Sequence, residues 1–135
     1  SIARIGVEME NSYLYDVDVQ LSMVTDVMGS SGGLALALAI YDELTPGSLL
    51  DGRTIAATGT ITAAGDVGSI GALRQKLSGA EQAGAQIMLV PSGNCADIDG
   101  VDTSVTIVKV TRLNDAITSL ELLKNPTTAD QVPRC

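Results

Sequence analysis

Residues 71–91 read GALRQKLSGAEQAGAQIMLVP, and a change of period inside this stretch decides the fold class. Leu73, Leu77, Ala80 and Gly84 recur at helical spacing, while Arg74, Gln75, Ser78, Glu81 and Gln82 fall on the other side. That pattern predicts an amphipathic helix over about 71–83, stopped by Gly84. Gln86–Val90 follows as a short apolar run ended by Pro91, the signature of a buried strand. A second strand over Ser104–Val110 and a second helix over Leu113–Leu123 repeat the alternation, with Leu113, Ile117, Leu120 and Leu123 inward. Strand and helix in alternation imply an α/β (α+β) domain with some parallel pairing.

Upstream, Tyr13–Leu21 alternates Tyr15, Val17, Val19 and Leu21 with Asp16, Asp18 and Gln20, which predicts a half-buried strand. Val24–Gly33 is a loop punctuated by Gly29, Gly32 and Gly33. Leu34–Leu44 predicts a helix, apolar on nearly all sides until Asp42 and Glu43, and so expected in the middle of the domain. Thr45-Pro46-Gly47 ends it. Arg53–Thr62 is β-branched and alternating, and the turn Ala63-Ala64-Gly65-Asp66 into Val67 completes a predicted hairpin. The core is expected over 13–123, with 1–12 and 124–135 as extended segments and 92–103 as a loop containing Cys95.

The chain has 135 residues, 45% of them hydrophobic and 18% charged, the balance of one ordered domain with a single core. Aromatics amount to three tyrosines, so the core is aliphatic and base stacking is disfavoured. A net charge of −8 argues against nucleic acid as a partner. The absence of histidine removes Ser-His-Asp and Cys-His catalysis and every histidine-bearing metal site. Two cysteines cannot supply a four-cysteine zinc site. No metal or cofactor is expected. Any enzyme here must move protons with Lys, Asp, Glu, Tyr or Cys.

Leu34–Tyr41 is the longest apolar run, well short of the ~20 residues that span a bilayer. With no signal-like start, Ser1 reads as the cut edge of a longer protein. Cys95 and Cys135 are an even pair that can close a 40-residue loop in an oxidising compartment, or are two unrelated thiols.

Two features carry chemistry. Gly29-Ser30-Ser31-Gly32-Gly33 sits at a loop-to-helix junction, where Ser31 stands beside unpartnered amides and the positive end of a helix dipole. The structural alternative is an N-cap serine in a glycine-rich turn. Lys76 lies at the border of the inward stripe of its helix, where an amine partly out of water has a lowered pKa and can act as a general base. The alternative is a lysine whose stem covers apolar surface. The G-x-S-x-G elbow of α/β-hydrolases fits the serine but needs a histidine. The Gly-Ser-Ser-Gly-Gly stretch also resembles the amidase-signature enzymes, whose lysine precedes it; here Lys76, Lys109 and Lys124 all follow. The phosphate loop of small-metabolite kinases of the galactokinase and homoserine kinase type remains a rival.

Taken together, three segments resemble the proteolytic domain of Lon-type (S16) proteases. Gly29-Ser30-Ser31-Gly32-Gly33-Leu34 is similar to the nucleophile motif Gly-Pro-Ser-Ala-Gly plus an aliphatic residue. Thr58-Gly59-Thr60-Ile61-Thr62 is similar to the Thr-Gly-x-Ile-x strand, and Gly68–Lys76 to Gly-x-Ile-Gly-Gly-Leu-x-x-Lys. The departures are Ser30 for Pro, Gly32 for Ala and a missing Lys-Asp pair before the motif, where Asp26-Val27-Met28 stands.

The resemblance implies a fold related to the second domain of ribosomal protein S5. It implies Ser31 as nucleophile, Lys76 as general base and Thr58 as the residue that hydrogen-bonds and orients the lysine. Backbone amides near Ser31 and Gly32 would hold the oxyanion. The substrate would be a polypeptide laid as an added strand on a sheet edge. The runs at 40–47 and 94–97 look most like bacterial Lon-like proteases with a PDZ domain. That likeness implies an N-terminal membrane anchor, a PDZ module in cis, a hexameric ring and a place on the extracytoplasmic side of the plasma membrane. No lysine is followed by Ser or Thr, so no Walker A motif exists and hydrolysis is expected to be independent of ATP. Three function classes stay open: a Ser-Lys peptidase, a phosphate-binding relative of the kinases, and a catalytically silent assembly module.

Overall fold

A computed structural model describes residues 29–135. In order, it forms helix α1 (Gly33–Leu44), strands β1 (Ile55–Ala57), β2 (Thr60–Ile61) and β3 (Val67–Gly68), helix α2 (Leu73–Gln82), strands β4 (Ile87–Pro91) and β5 (Thr106–Val110), and helix α3 (Leu113–Leu122). The strand predicted over Tyr13–Leu21 and the segment 1–12 lie outside the described residues.

Among the described residues β4 is the centre of a parallel sheet ordered β1-β4-β5, with Ile55 opposite Ile87 and Leu89 opposite Val108. All five of its residues are buried, because parallel crossovers place helices on both faces. Ile87 and Leu89 point to one side and join Leu34, Leu38, Ala116 and Leu120 from α1 and α3. Met88 and Val90 point to the other side and join Leu73 and Leu77 of α2. The alternation of the strand thus divides the aliphatic core into two layers.

The helices follow the expected apolar stripes with local differences. α2 begins two residues later than its pattern suggested and ends in a Schellman arrangement, with Gly84 N–H donating to Glu81 O and Ala85 N–H to Ala80 O. Gly84 itself is exposed rather than part of the inward stripe. In α3 the inward face is centred on Ala116, Ser119 and Leu120, and Leu113, Ile117 and Leu123 are only half-buried. α1 is not enclosed as expected: Leu34 and Leu38 are its buried residues, while Tyr41 and Leu44 are exposed. One face of an apolar helix is enough to cover the sheet.

The predicted hairpin is present but its first strand is broken. β1 pairs in parallel with β4, whereas β2 pairs antiparallel with β3 in a separate ribbon. Thr58 continues the β1 ladder, donating to Leu89 O at 3.2 Å. Gly59 then turns away at φ 153°, a conformation that favours glycine. Its amide is engaged by the turn before α1 and its carbonyl by Leu34 in the first turn of α1, so both are lost to the sheet.

The segments read as loop and tail also carry structure. Ser92–Ile98 forms a 3-10 helix with Asn94 and Ile98 buried. The C-terminal segment is not simply extended: Ala129–Gln131 is a 3-10 turn and Val132 is buried in the α1–α3 layer. Its Pro133 carbonyl accepts the Lys109 amide at 3.0 Å, so the tail lies along the outer edge of β5.

Candidate active site

Ser31 lies in a 3-10 turn, Ser30–Gly32, that runs directly into α1. The turn is fixed by the Gly59 crossing. Gly59 N–H donates to Ser31 O at 2.9 Å, and Leu34 N–H donates to Gly59 O at 3.0 Å. Gly33 permits this approach, since a Cβ there would lie 3.0 Å from Ile61 Cγ2 and 3.2 Å from the Ile61 amide nitrogen. The glycines at 33 and 59 therefore let the α1 start and the β1–β2 strand meet backbone to backbone.

Lys76 is the fourth residue of α2 and is half-buried. Its Nζ donates to Ser31 Oγ at 2.9 Å, joining residues 45 apart in sequence. That separation is within the reach required for direct proton transfer between a hydroxyl and a base. Lys76 forms no ion pair with any of the described residues.

The resemblance implied a hydrogen bond from Thr58 to Lys76, but the hydroxyl of Thr58 has another partner. Thr58 is buried, and its hydroxyl donates to the Ser31 carbonyl at 3.5 Å, a weak contact. Among the described residues it makes no hydrogen bond to Lys76. The physical reason is the break at Gly59, whose amide bonds the Ser31 carbonyl and brings the strand end against the serine turn. The Thr58 hydroxyl thus contacts the Ser31 backbone rather than the Lys76 amine.

The Gly32 amide is engaged by Gly29 O at 3.4 Å, a long bond that a developing oxyanion could replace. Cys95 and Cys135 are joined as a disulfide, with Cα atoms 5.1 Å apart. A surface cleft of about 460 Å³ runs along the start of α2, lined by Ile70, Ala72, Arg74, Gln75 and Asp97 among others.

Two residues near the site had no assigned role in the sequence. Asn94 is 3% exposed, and its side chain grips the Ile70 backbone: Oδ1 accepts Ile70 N–H at 2.9 Å and Nδ2 donates to Ile70 O at 2.8 Å. Nδ2 also donates to Asp97 Oδ2 at 2.7 Å. Ala72, the residue before α2, has φ 57°. A side chain in that left-handed region costs about 1–2 kcal/mol relative to ordinary backbone. Asn94 gave no sequence signal of burial, whereas Ala72 stands where the resembling motif has Gly.

Comparison with known proteins agrees with the pattern of the three segments. The sequence matches the Lon protease (S16) C-terminal proteolytic domain over residues 4–122. Lon protease 2 of Herpetosiphon aurantiacus is 37% identical over 102 residues, covering 73% of this chain and 12% of its own length. Lon protease 1 of Myxococcus xanthus is 30% identical over 130 residues, covering 91% of this chain and 15% of its own length. Lon protease of Clostridium beijerinckii is 38% identical over 93 residues, 66% of this chain and 11% of its own length. The chain thus spans a small fraction of the length of these relatives. With a parallel sheet covered by helices and a match over most of its residues, the chain belongs to the family of Lon protease (S16) C-terminal proteolytic domains.

Proposed function

We propose that this domain is an ATP-independent serine endopeptidase in which Ser31 and Lys76 form the catalytic dyad. The observation that carries the reading is the 2.9 Å contact between Lys76 Nζ and Ser31 Oγ. Lysine is also a base compatible with a chain that has no histidine.

In the proposed reaction the neutral Lys76 amine accepts the Ser31 proton as Oγ attacks the scissile carbonyl carbon. The carbonyl π electrons move to oxygen, and amides of the Ser31–Gly32 turn stabilise that oxyanion. The Gly32 amide exchanges its long bond to Gly29 for the oxyanion. Collapse breaks the C–N bond, and the Lys76 ammonium returns its proton to the leaving amine. An ester on Ser31 remains. Water, deprotonated by Lys76, attacks that ester, and the proton returns to Oγ as the acid product leaves.

The substrate is proposed to be an unfolded or exported polypeptide, bound as an added strand. The disulfide supports a site of action in an oxidising compartment, outside the cytoplasm. A membrane anchor and a PDZ module in cis, with assembly into a hexameric ring, complete the proposal for the parent protein.

The test is cleavage of a reduced, unfolded protein by wild type, Ser31→Ala and Lys76→Ala. The expected result is cleavage by wild type alone, unchanged by ATP and magnesium, with all three proteins sharing one circular dichroism spectrum. Undiminished cleavage by either variant sinks the dyad. Thermal stabilisation by ATP and magnesium would restore the phosphate-loop reading instead.

A further inference from the structure

We propose that Asn94 is a positioning residue for the Ser31–Lys76 pair, acting through the left-handed turn at Ala72. The inference rests on the dyad reading for its kinetic consequence. Its structural content stands on the geometry alone.

A strained residue persists where its surroundings fix the backbone on either side. After Ala72 that constraint is α2 itself, which begins at Leu73 with Lys76 N–H donating to Ala72 O at 3.1 Å. Before Ala72 it is Asn94, whose amide holds both the N–H and the C=O of Ile70 as a neighbouring strand would. Burial keeps water from competing for those groups. Asp97 fixes the clamp twice over: its carboxylate accepts from Asn94 Nδ2, and its carbonyl accepts from Arg74 Nε at 2.7 Å. Arg74 lies on the first turn of α2, so the 92–98 turn grips the chain on both sides of Ala72.

The backbone angles at Ala72 set the direction and phase with which α2 starts. Lys76 is four residues further on, about one turn into the helix. If Ala72 relaxed to a negative φ, the first turn of α2 would rotate and Nζ would leave Ser31 Oγ. Asn94 therefore places the amine without touching it.

The test combines Asn94→Ala with Ala72→Gly, because glycine adopts the left-handed turn without the Cβ penalty. Asn94→Ala is expected to lower kcat about tenfold or more with KM nearly unchanged. Ala72→Gly in that background is expected to recover most of the loss. A residue that only held the fold together would lower the melting temperature without this kcat split or rescue. A kcat within about twofold of wild type, or a slow variant that Ala72→Gly does not recover, overturns the proposal.

Should Asn94→Ala fail to fold, Asn94→Asp carries the same expectations, since it keeps the acceptor for Ile70 N–H and loses both donors. Crystal structures of the folded variants read the position of Nζ without any turnover. Displacement of Nζ beyond about 3.5 Å from Ser31 Oγ, reversed by Ala72→Gly, supports the clamp; an unmoved amine overturns it. A wild type that cleaves nothing would instead sink the peptidase reading, and the structures would still decide this one.

Discussion

The amide of Gly59 donates to the carbonyl of Ser31 at 2.9 Å, stitching the strand that leaves the parallel sheet to the turn that presents the serine. The bond exists because residue 59 can hold φ 153° and because it carries no side chain. A Cβ there would lie 2.8 Å from Val67 Cγ1 and 3.4 Å from Pro91 Cγ. Gly59→Ala is therefore expected to destabilise the domain by about 1–3 kcal/mol, combining backbone strain with overpacking. It should also impair cleavage in molecules that remain folded, because the Ser31 turn loses its anchor. Urea melts and peptidase rates at a concentration well below the midpoint check both; an unchanged midpoint contradicts the close-approach argument.

The disulfide between Cys95 and Cys135 links residues 40 apart and holds the tail that buries Val132. The chain-entropy model assigns a loop of that length roughly 3–4 kcal/mol, through restriction of the unfolded state. Reduction, or Cys135→Ser, is expected to lower the urea midpoint substantially. The Lys109 amide, which donates to Pro133 O, should then exchange faster with solvent because the tail is released. Equal midpoints in oxidised and reduced protein would contradict this account.

Glu81 gives a pH dependence with a definite sign. Its carboxylate is held below its ordinary value of 4.5, chiefly by the Ser104 backbone N–H, with the Ser104 and Thr103 hydroxyls adding to it. A depressed folded-state pKa contributes stability that is fully present above the unfolded value and is lost as pH falls through the folded value. Wild type should thus lose stability below pH 4.5 more steeply than Glu81→Gln. Urea melts across that range check it. Parallel curves for the two proteins would remove Glu81 from the acid sensitivity. The group is exposed, so the difference should shrink in high salt.

Much of the scaffold was legible because burial imposes a period on the side chains. Leu73 and Leu77 mark α2, and the unbroken run Ile87–Val90 marks a strand covered on both faces. The contact between Ser31 and Lys76 was legible only through motif likeness, since no periodicity links the two residues. The break at Gly59 was hidden because alternation continues through Thr58, Thr60 and Thr62 while the hydrogen bonds change partner. That change also explains Thr58, whose hydroxyl follows the backbone to Ser31. Asn94 was hidden for another reason: a polar residue in a short turn looks solvated until the turn folds over Ile70. The order of the last residues was similarly unreadable, because Val132 is a single apolar side chain in a tail rich in polar residues.

Lys76→Arg separates the charge of the base from its capacity to accept a proton. Arginine is long enough to reach Ser31 and can donate to Oγ as the lysine does. Its guanidinium stays protonated in proteins, so it cannot take the serine proton. Lys76 is only half-buried and arginine keeps a long aliphatic stem, so stability should change by less than about 1 kcal/mol. Cleavage is expected to fall at least about a hundredfold, within the range for loss of a general base. Peptidase assays, with a urea melt of each protein, measure both effects. An active Lys76→Arg enzyme would mean that the amine contributes only a hydrogen bond or a charge to Ser31, and the proton would have to leave by another group.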